Sequence, residues 1–184
     1  MRVAVLAALL TLAGCAGQVQ TGHGDVTPFY DRNVVWHAAK GGAFPLVVHG
    51  APSGGLAPGD AAAAVAREMR LPGWFAPTPF QPAPVASAPS GDWRLVLIFN
   101  PARPVSARET CGDLGRIPVL DPAGETVVRA AFCTGDEAIS DVTARAPAAP
   151  PGASSFRALL DQIAAALFPE RNPNLQGERG EFPA

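Results

Sequence analysis

The nine residues DWRLVLIFN, at positions 92–100, decide the fold of this chain. Five apolar residues follow one another without interruption at positions 95–99. A run of this length that is apolar on both faces is typical of a strand in the middle of a sheet, with cover on two sides. We therefore predict a central strand here and assign the neighbouring elements around it.

After this strand, the stretch RIPVLDPAGETVVRAAFC, residues 116–133, predicts a β-hairpin. Its two apolar runs flank residues 121–124, where proline takes the second position of a type I turn and glycine the fourth. A third short strand is predicted at residues 138–144, after a Gly-Asp pair. These strands would extend the sheet on one side of the central strand.

Before the central strand, two short apolar runs are bounded by Gly and Pro. They are NVVWH, residues 33–37, and FPLVVHG, residues 44–50, and each is a candidate strand. The next segment, PGDAAAAVAREMRLPG, predicts a helix over residues 61–70. Asp60 would cap it, the alanines favour helix, and a Leu-Pro-Gly sequence would end it.

The segment WFAPTPFQPAPVASAPSGD, residues 74–92, contains five prolines. Proline has no backbone N–H, so this segment cannot be a central strand and is predicted to be an extended surface loop. Its three aromatic side chains are Trp74, Phe75 and Phe80. They either fix the loop to the core, which is the interpretation that we favour, or line a binding groove.

A second helix is predicted from SSFRALLDQIAAALF, residues 154–168. Its apolar side chains recur at helical spacing on one face: Phe156, Leu159, Leu160, Ile163 and Leu167. Ser154 or Ser155 would cap the helix, and Arg157 and Asp161 would pair on its solvent side. A helix with one apolar face packs on a sheet.

This order of elements predicts an α+β fold. We expect a two-layer sandwich, in which a mainly antiparallel sheet of about four to five strands carries two helices on one face. The other face needs cover from the Pro-rich loop, the N-terminal segment or a partner. The single domain is placed at residues 34–168, followed by a polar, disordered tail at residues 169–184.

The N-terminus reads MRVAVLAALLTLAGCAG, with Arg2 followed by an apolar run over residues 3–12. This pattern is typical of a secretory signal peptide, and the run is too short to be a permanent membrane-spanning helix. The sequence LAGC at positions 12–15 resembles the lipobox of bacterial lipoproteins. The alternative is an ordinary cleavage site of the small-x-small kind beside Cys15.

The lipobox resemblance implies that residues 1–14 are removed and that Cys15 becomes a lipidated N-terminus. Residues 15–33, which are polar and rich in glycine, would then be a tether. By the sorting rule of these lipoproteins, Ala16 implies the outer membrane, with the domain on the periplasmic face. The membrane would thus be a partner through the lipid anchor, to which each buried methylene contributes ~0.8 kcal/mol.

Cys111 and Cys133 are the two cysteines that lipidation leaves over. The periplasm is oxidising, so a disulfide between them is predicted. A metal site is the alternative, but two cysteines without a C-x-x-C pair or a neighbouring histidine are a poor ligand set. We therefore predict no metal and no cofactor.

The charge balance bears on the partners. Residues 15–184 carry 13 basic and 16 acidic side chains, which gives −3 with histidine neutral, and Lys40 is the one lysine. A mildly acidic chain without a basic run argues against nucleic acid and anionic lipid as partners.

One stretch has a resemblance to an enzyme family. FPLVVHGAPSGG, residues 44–55, resembles the strand and His-Gly turn that precede the oxyanion loop of α/β-hydrolases, which would make His49 a base for Ser53. The G-x-S-x-G motif of that family does not occur in the sequence, and GASSF at residues 152–156 fails at its last position. The three histidines also lack the spacing of a metal site.

The late part of the chain resembles small uncharacterised lipoproteins of Gram-negative bacteria. The resemblance rests on VVRAAFCTGDEAISDVTARA, residues 127–146, and on LFPERNP, residues 167–173. It implies no activity. We therefore predict a non-enzymatic lipoprotein that binds another envelope protein or polymer, or supports envelope assembly. The alternative is an envelope hydrolase that uses His49 as its base.

Overall fold

The structure is a computed structural model that describes residues 18–22, 24–53, 55–85 and 93–175. The strands, in chain order, are β1 (Gln20–Thr21), β2 (Asp25–Val26), β3 (Phe44–His49), β4 (Phe80–Pro82), β5 (Trp93–Phe99), β6 (Glu125–Thr134) and β7 (Glu137–Pro147). The α-helices are α1 (Arg32–Ala38), α2 (Pro58–Glu68), α3 (Ala107–Cys111) and α4 (Ser154–Leu167).

The strands form one sheet in the order β1-β7-β6-β5-β3-β4, with β2 also paired to β7. β5 lies between β3 and β6, and its residues from Arg94 to Phe99 are all buried, so the predicted central strand is confirmed. β3 is parallel to β4 and to β5, whereas the other pairs are antiparallel. The fold is α+β as predicted, but the sheet is mixed and has seven strands in the described ranges.

The sheet is covered on both faces. Helices α1, α2 and α4 pack with β3, β5, β6 and β7 in the larger core. On the other face, residues 101–119, which we call the cap, contribute Val105, Leu114 and Ile117 to a second core. The two predicted helices, α2 and α4, do lie on one face, but the prediction is only roughly right, because α1 joins them there and α3 belongs to the cap on the opposite face. The sequence analysis did not foresee this cover by the cap, whereas Ala83 and Val85 of the Pro-rich segment, one of the covers it offered, also pack against the second core.

The cap is bonded to the sheet through the predicted disulfide, which is confirmed. Cys111 in α3 and Cys133 in β6 are joined with a Cα–Cα distance of 5.6 Å, within the usual range for a disulfide. Buried Arg94 donates hydrogen bonds to the carbonyl oxygens of Cys111 at 2.6 Å and of Gly135 at 2.7 Å. The Arg94 side chain therefore links β5 to the cap and to the turn between β6 and β7.

The second strand of the predicted hairpin and the strand predicted at residues 138–144 are confirmed as β6 and β7, but the turn predicted at residues 121–124 is wrong, because the hairpin is formed by β6 and β7 around residues 135–136. Residues 117–124 run alongside the end of β5 instead: Val119 forms an isolated bridge with Pro101, and the Leu120 N–H donates to the Asn100 carbonyl at 2.8 Å. Two prolines in this stretch lack the N–H that a strand ladder needs.

The segment NVVWH is a helix rather than the predicted strand. Asp31 caps α1, since its side chain accepts from the Asn33 N–H at 2.7 Å, and only Val35 of this short helix is buried. The larger helix α2 starts at Pro58, a residue suited to the first helical position, and it ends at Glu68. It therefore begins before the predicted residue 61, and Asp60 lies in its first turn.

The predicted apolar face of α4 is confirmed, because all five of its predicted core residues are buried. Its N-cap is Ala153, without a side-chain hydrogen bond, rather than Ser154 or Ser155. Arg157 lies 3.9 Å from Glu68 and donates to the Gly152 carbonyl at 3.1 Å. It thus links α4 to α2 instead of pairing with Asp161.

The ordered domain extends beyond residues 34–168 at both ends. Part of the predicted tether forms β1 and β2, and Tyr30 is buried, donating from its hydroxyl to the Pro169 carbonyl at 2.8 Å. Asn172, in the predicted tail, donates to the Thr27 carbonyl at 2.8 Å, and Asn174 donates to the Val26 carbonyl. The apolar side chains of residues 26 and 30 explain this packing, since burying them stabilises the fold.

The predicted signal peptide, Cys15 and residues 176–184 lie outside the described residues. None of the helices in the described part of the chain has the length and apolar character needed to cross a membrane.

Candidate binding groove

An apolar groove of about 790 Å³ lies between α2 and the chain segment over residues 71–82. The helix side of the groove is formed by Ala63, Ala66 and Arg67, and Arg70 follows just beyond the end of α2. The opposite side is formed mainly by Leu71, Phe75, Phe80 and prolines. We call this feature the α2 groove.

The helix wall results from the alanine-rich sequence of α2. Ala61, Ala64 and Val65 face the core and are buried, which turns Ala63 toward solvent at the groove. Because the alanine side chain is small, the helix projects little into the groove and leaves space beside the Pro-rich segment. The same alanines favour the helix intrinsically.

The opposite wall is rigid for two reasons. Prolines at positions 77, 79 and 82 restrict the backbone, and the aromatic side chains fix it to the core. Phe75 and Phe80 are 5% and 6% exposed, and the Trp74 Nε1–H donates to the Phe168 carbonyl at 3.0 Å. The interpretation that these aromatics fix the segment to the core is confirmed, and Phe75 and Phe80 also line the α2 groove.

The aromatic surface continues from the groove onto α1. The ring centroid of Trp36 lies 4.4 Å from that of Phe75, yet Trp36 remains 50% exposed. Trp36 is therefore a half-exposed aromatic side chain packed on Phe75, next to the groove but outside its lining.

The charge in the α2 groove is positive. Among its described lining residues, the charged ones are Arg67 and Arg70. Arg70 donates from Nη1 to the carbonyl oxygens of Arg67 at 2.6 Å and Met69 at 2.7 Å, so it closes the C-terminus of α2. Exposed Arg67 has no side-chain hydrogen bond or ion pair with the described part of the chain. Its guanidinium group is therefore available to a ligand.

His49 lies at the end of β3, where its Nε2 is 2.7 Å from the Ile117 carbonyl oxygen. A carbonyl only accepts, so Nε2 carries the proton and the ring is bonded to the cap. Ser53 lines a separate recess beside α2, together with Asp60 and Arg67, and His49 does not line it. The structure thus does not bring this histidine and serine together in one pocket.

The His-Gly turn has a structural explanation. Gly50 has φ +79°, and a Cβ atom there would lie 2.5 Å from the Phe99 carbonyl oxygen. Glycine is required by this close approach of β3 and β5. Next to it, buried Asn100 adopts φ 51° and donates from Nδ2 to the Ala51 carbonyl at 3.1 Å.

A partly buried ion pair was missed by the sequence analysis. Arg129 of β6 contacts Asp141 of β7, and each side chain is 12% exposed. Burial raises the pKa of the Asp141 carboxyl, while Arg129 opposes this shift and Asp25, opposite Asp141 on β2, adds to it. Arg129 and Asp141 are not neighbours in the sequence, and the pairing of β6 with β7 brings them together.

No group of three or more His, Cys, Asp or Glu side chains that could hold a metal ion occurs within residues 18–22, 24–53, 55–85 and 93–175. No protein-family model, curated protein or solved structure matches this chain.

Proposed function

We propose that this protein is a lipoprotein that is anchored through Cys15 to the outer membrane and binds another envelope component in the α2 groove. The signal peptide and the lipobox resemblance support the anchor. The disulfide between Cys111 and Cys133 suits an oxidising compartment. The domain would lie on the periplasmic face of the membrane.

The observation that carries the binding role is the construction of the α2 groove. Its wall over residues 71–82 is mainly apolar, and prolines and buried aromatic rings hold that wall in place. A preformed site of this kind loses little conformational entropy when a ligand binds. Apolar concave surfaces with a few polar groups at the edge are the usual form of ligand sites.

Site-specific photocrosslinking in cells tests the binding role. A photoreactive amino acid is placed at Ala63, which is exposed in the groove, and the matched control carries it at Arg116, whose side chain is 86% exposed in the cap. We expect a defined crosslinked product from position 63 alone. Identical products from both positions, or none from position 63, would contradict a binding role for the groove.

The anchor is tested separately with Cys15→Ser. Loss of the lipidated cysteine is expected to release the protein from the membrane fraction and to impair processing of the precursor. A variant that remains membrane-bound and normally processed would show that the lipobox interpretation is wrong.

A further inference from the structure

We infer that one end of the sheet lies against the lipid surface in which Cys15 is anchored. This end, which we call the apolar end, is formed by residues 118–124 and 147–151. The inference rests on the anchor proposed above and adds a second membrane contact, which the folded domain itself makes. It follows from where the chain enters the sheet, how close that point is to Cys15, and which side chains the apolar end exposes.

The two segments of the apolar end lie together because β6 begins opposite the point where β7 ends. The Ala148 N–H of one segment donates to the Gly124 carbonyl of the other at 3.0 Å. The Leu120 N–H donates at 2.8 Å to the carbonyl of Asn100, the residue that follows β5. The apolar end thus extends across the ends of three neighbouring strands, β5, β6 and β7.

The chain enters the sheet at this same end. Gln20 of β1 is paired with Arg145 of β7 in an antiparallel arrangement, and β7 ends shortly after, at Pro147. Because the pairing is antiparallel, the residues before Gln20 approach β1 from the side on which β7 ends. The first paired residue of the chain therefore lies beside the apolar end.

The sequence limits the distance from this point to the anchor. Gln20 is the fifth residue after Cys15, and five residues span at most about 18 Å when fully extended. The 11 residues of β7 extend over roughly 35 Å. A lipid on Cys15 therefore holds the apolar end, rather than the opposite end of the sheet, next to the membrane.

The apolar end exposes side chains that suit a lipid surface. Leu120 is 60% exposed and Val119 is 36% exposed. Among all the residues of the apolar end, Asp121 is the one charged side chain, and the five prolines restrict the backbone. Apolar side chains presented in this way gain free energy in proportion to the apolar area that they bury in the membrane interface.

The charge at this end favours zwitterionic rather than anionic lipid. Binding to anionic lipid depends on clusters of lysine and arginine. Arg145, at the border of the apolar end, is already paired with Glu125 at 3.1 Å, and Asp121 is acidic. The contact is therefore an apolar one with a zwitterionic surface such as phosphatidylethanolamine.

The opposite end of the sheet supplies a matched control, Phe29. The Thr27 N–H donates to the Ile139 carbonyl at 2.9 Å, near the start of β7, so Phe29 lies toward the end of the sheet that is opposite to the apolar end. Its side chain is 82% exposed. A membrane contact that depended on exposed apolar surface alone would favour Phe29, whereas an anchor at Cys15 favours Leu120.

Photocrosslinking to lipid tests the inference with the full, lipidated chain in vesicles of phosphatidylethanolamine and phosphatidylcholine. A photoreactive amino acid replaces either exposed Ala123 in the apolar end or Phe29. Mass spectrometry measures the phospholipid adducts and verifies the lipid on Cys15. We expect at least about fivefold more adduct from position 123 than from position 29, since burial of one exposed leucine suffices for a difference of this size.

The decisive variant is Leu120→Asp, which places a charge in the contact. It is expected to reduce the adduct from position 123 by at least about fivefold, because a carboxylate loses its hydration in lipid. Phe29→Asp is the matched control and is expected to leave this yield unchanged. Leu120→Trp is expected to raise the yield, because tryptophan favours the membrane interface. Equal melting temperatures in detergent show that the variants are folded.

Three results would overturn the inference. Equal adduct yields from positions 123 and 29, or a yield that Leu120→Asp leaves unchanged, would show that the domain reaches the lipid through its anchor alone. A protein adduct in place of a lipid adduct, when position 123 is crosslinked in cells, would assign the apolar end to a protein partner. Each of these results leaves the anchor in place if Cys15 carries lipid, whereas a Cys15 without lipid removes the proposed anchor and the inference with it.

Discussion

Removal of the Cys111–Cys133 disulfide is expected to destabilise the domain and to loosen the cap first. The perturbation is the double variant Cys111→Ala/Cys133→Ala. The disulfide joins residues 22 positions apart, and in the chain-entropy model the closure of such a loop contributes about 3 kcal/mol. Both cysteines are buried in the second core, so the loss of packing adds to this figure.

The effect is expected to be local before it is global. The cap contributes Val105, Leu114 and Ile117 to the small second core, and elements with few buried contacts open at lower free energy than the rest of a domain. Amide hydrogen exchange is therefore expected to accelerate most over residues 105–117. Protection of α4, which packs on the larger core, is expected to fall only with global stability.

Urea denaturation followed by circular dichroism measures the global effect. We expect a loss of about 3 kcal/mol and a melting temperature lower by roughly 6–12 °C, given 2–4 °C for each kcal/mol in a domain of this size. Reducing agent added to the double variant is the control and is expected to change nothing. A loss below about 0.5 kcal/mol, well under the chain-entropy figure, would refute the reasoning.

Three further predictions concern the core, a turn and a charge. Leu160→Ala removes a fully buried side chain of α4 and is expected to cost ~2–5 kcal/mol in urea denaturation; a change near zero would place α4 outside the core. Gly50→Ala is expected to cost more than about 1 kcal/mol because of its positive φ and the close carbonyl, whereas Gly41→Ala, with nothing within 4 Å of the added methyl group, is the near-neutral control. Hydrogen bonds from Arg103 and then from the N-cap of α3 lower the pKa of Glu109 to about 2, so the stabilising contribution of this carboxylate is present above its unfolded-state pKa and is lost as pH falls toward 2. Carboxyl NMR titration checks this value, and Arg103→Ala is expected to raise it; an ordinary pKa for Glu109 in the native protein would contradict the prediction.

The elements that were predicted correctly have signals contained within a few residues. The uninterrupted apolar run of β5 and the helical spacing in α4 each identify a buried element without reference to the rest of the chain. The disulfide followed from the count of cysteines and the expected compartment. The α+β class followed from the order of these elements.

The errors occurred where contacts between distant residues override the local pattern. Residues 121–124 have good turn chemistry, but Ile117 is buried in the second core, and the sheet instead continues through β6 to a turn at 135–136. β1 and β2 are two residues long, too short for any periodicity. They are strands because their backbones pair with the backbone of β7.

The sequence analysis identified residues from only one wall of the α2 groove. The sequence analysis names Trp74, Phe75 and Phe80 as lining residues only in its alternative interpretation and favours a role in fixing the segment to the core. The helix wall was not recognised, since Ala63 and Arg67 acquire a role only when α2 lies beside the Pro-rich segment. Trp36 was assigned to a strand, and this error concealed an exposed tryptophan next to Phe75.

The attachment of the N-terminal segment to the end of the chain has a consequence for the order of events during synthesis. Residues 20–21 and 25–26 pair with β7, and the carbonyl oxygens of Val26, Thr27 and Tyr30 accept hydrogen bonds from Asn172 and Asn174. A chain emerges N-terminus first, so these binding partners are produced last. The segment beside Cys15 therefore has nothing to dock on until translation is almost complete. Processing at the proposed site would therefore take place before residues 20–22 and 24–30 are docked on the domain.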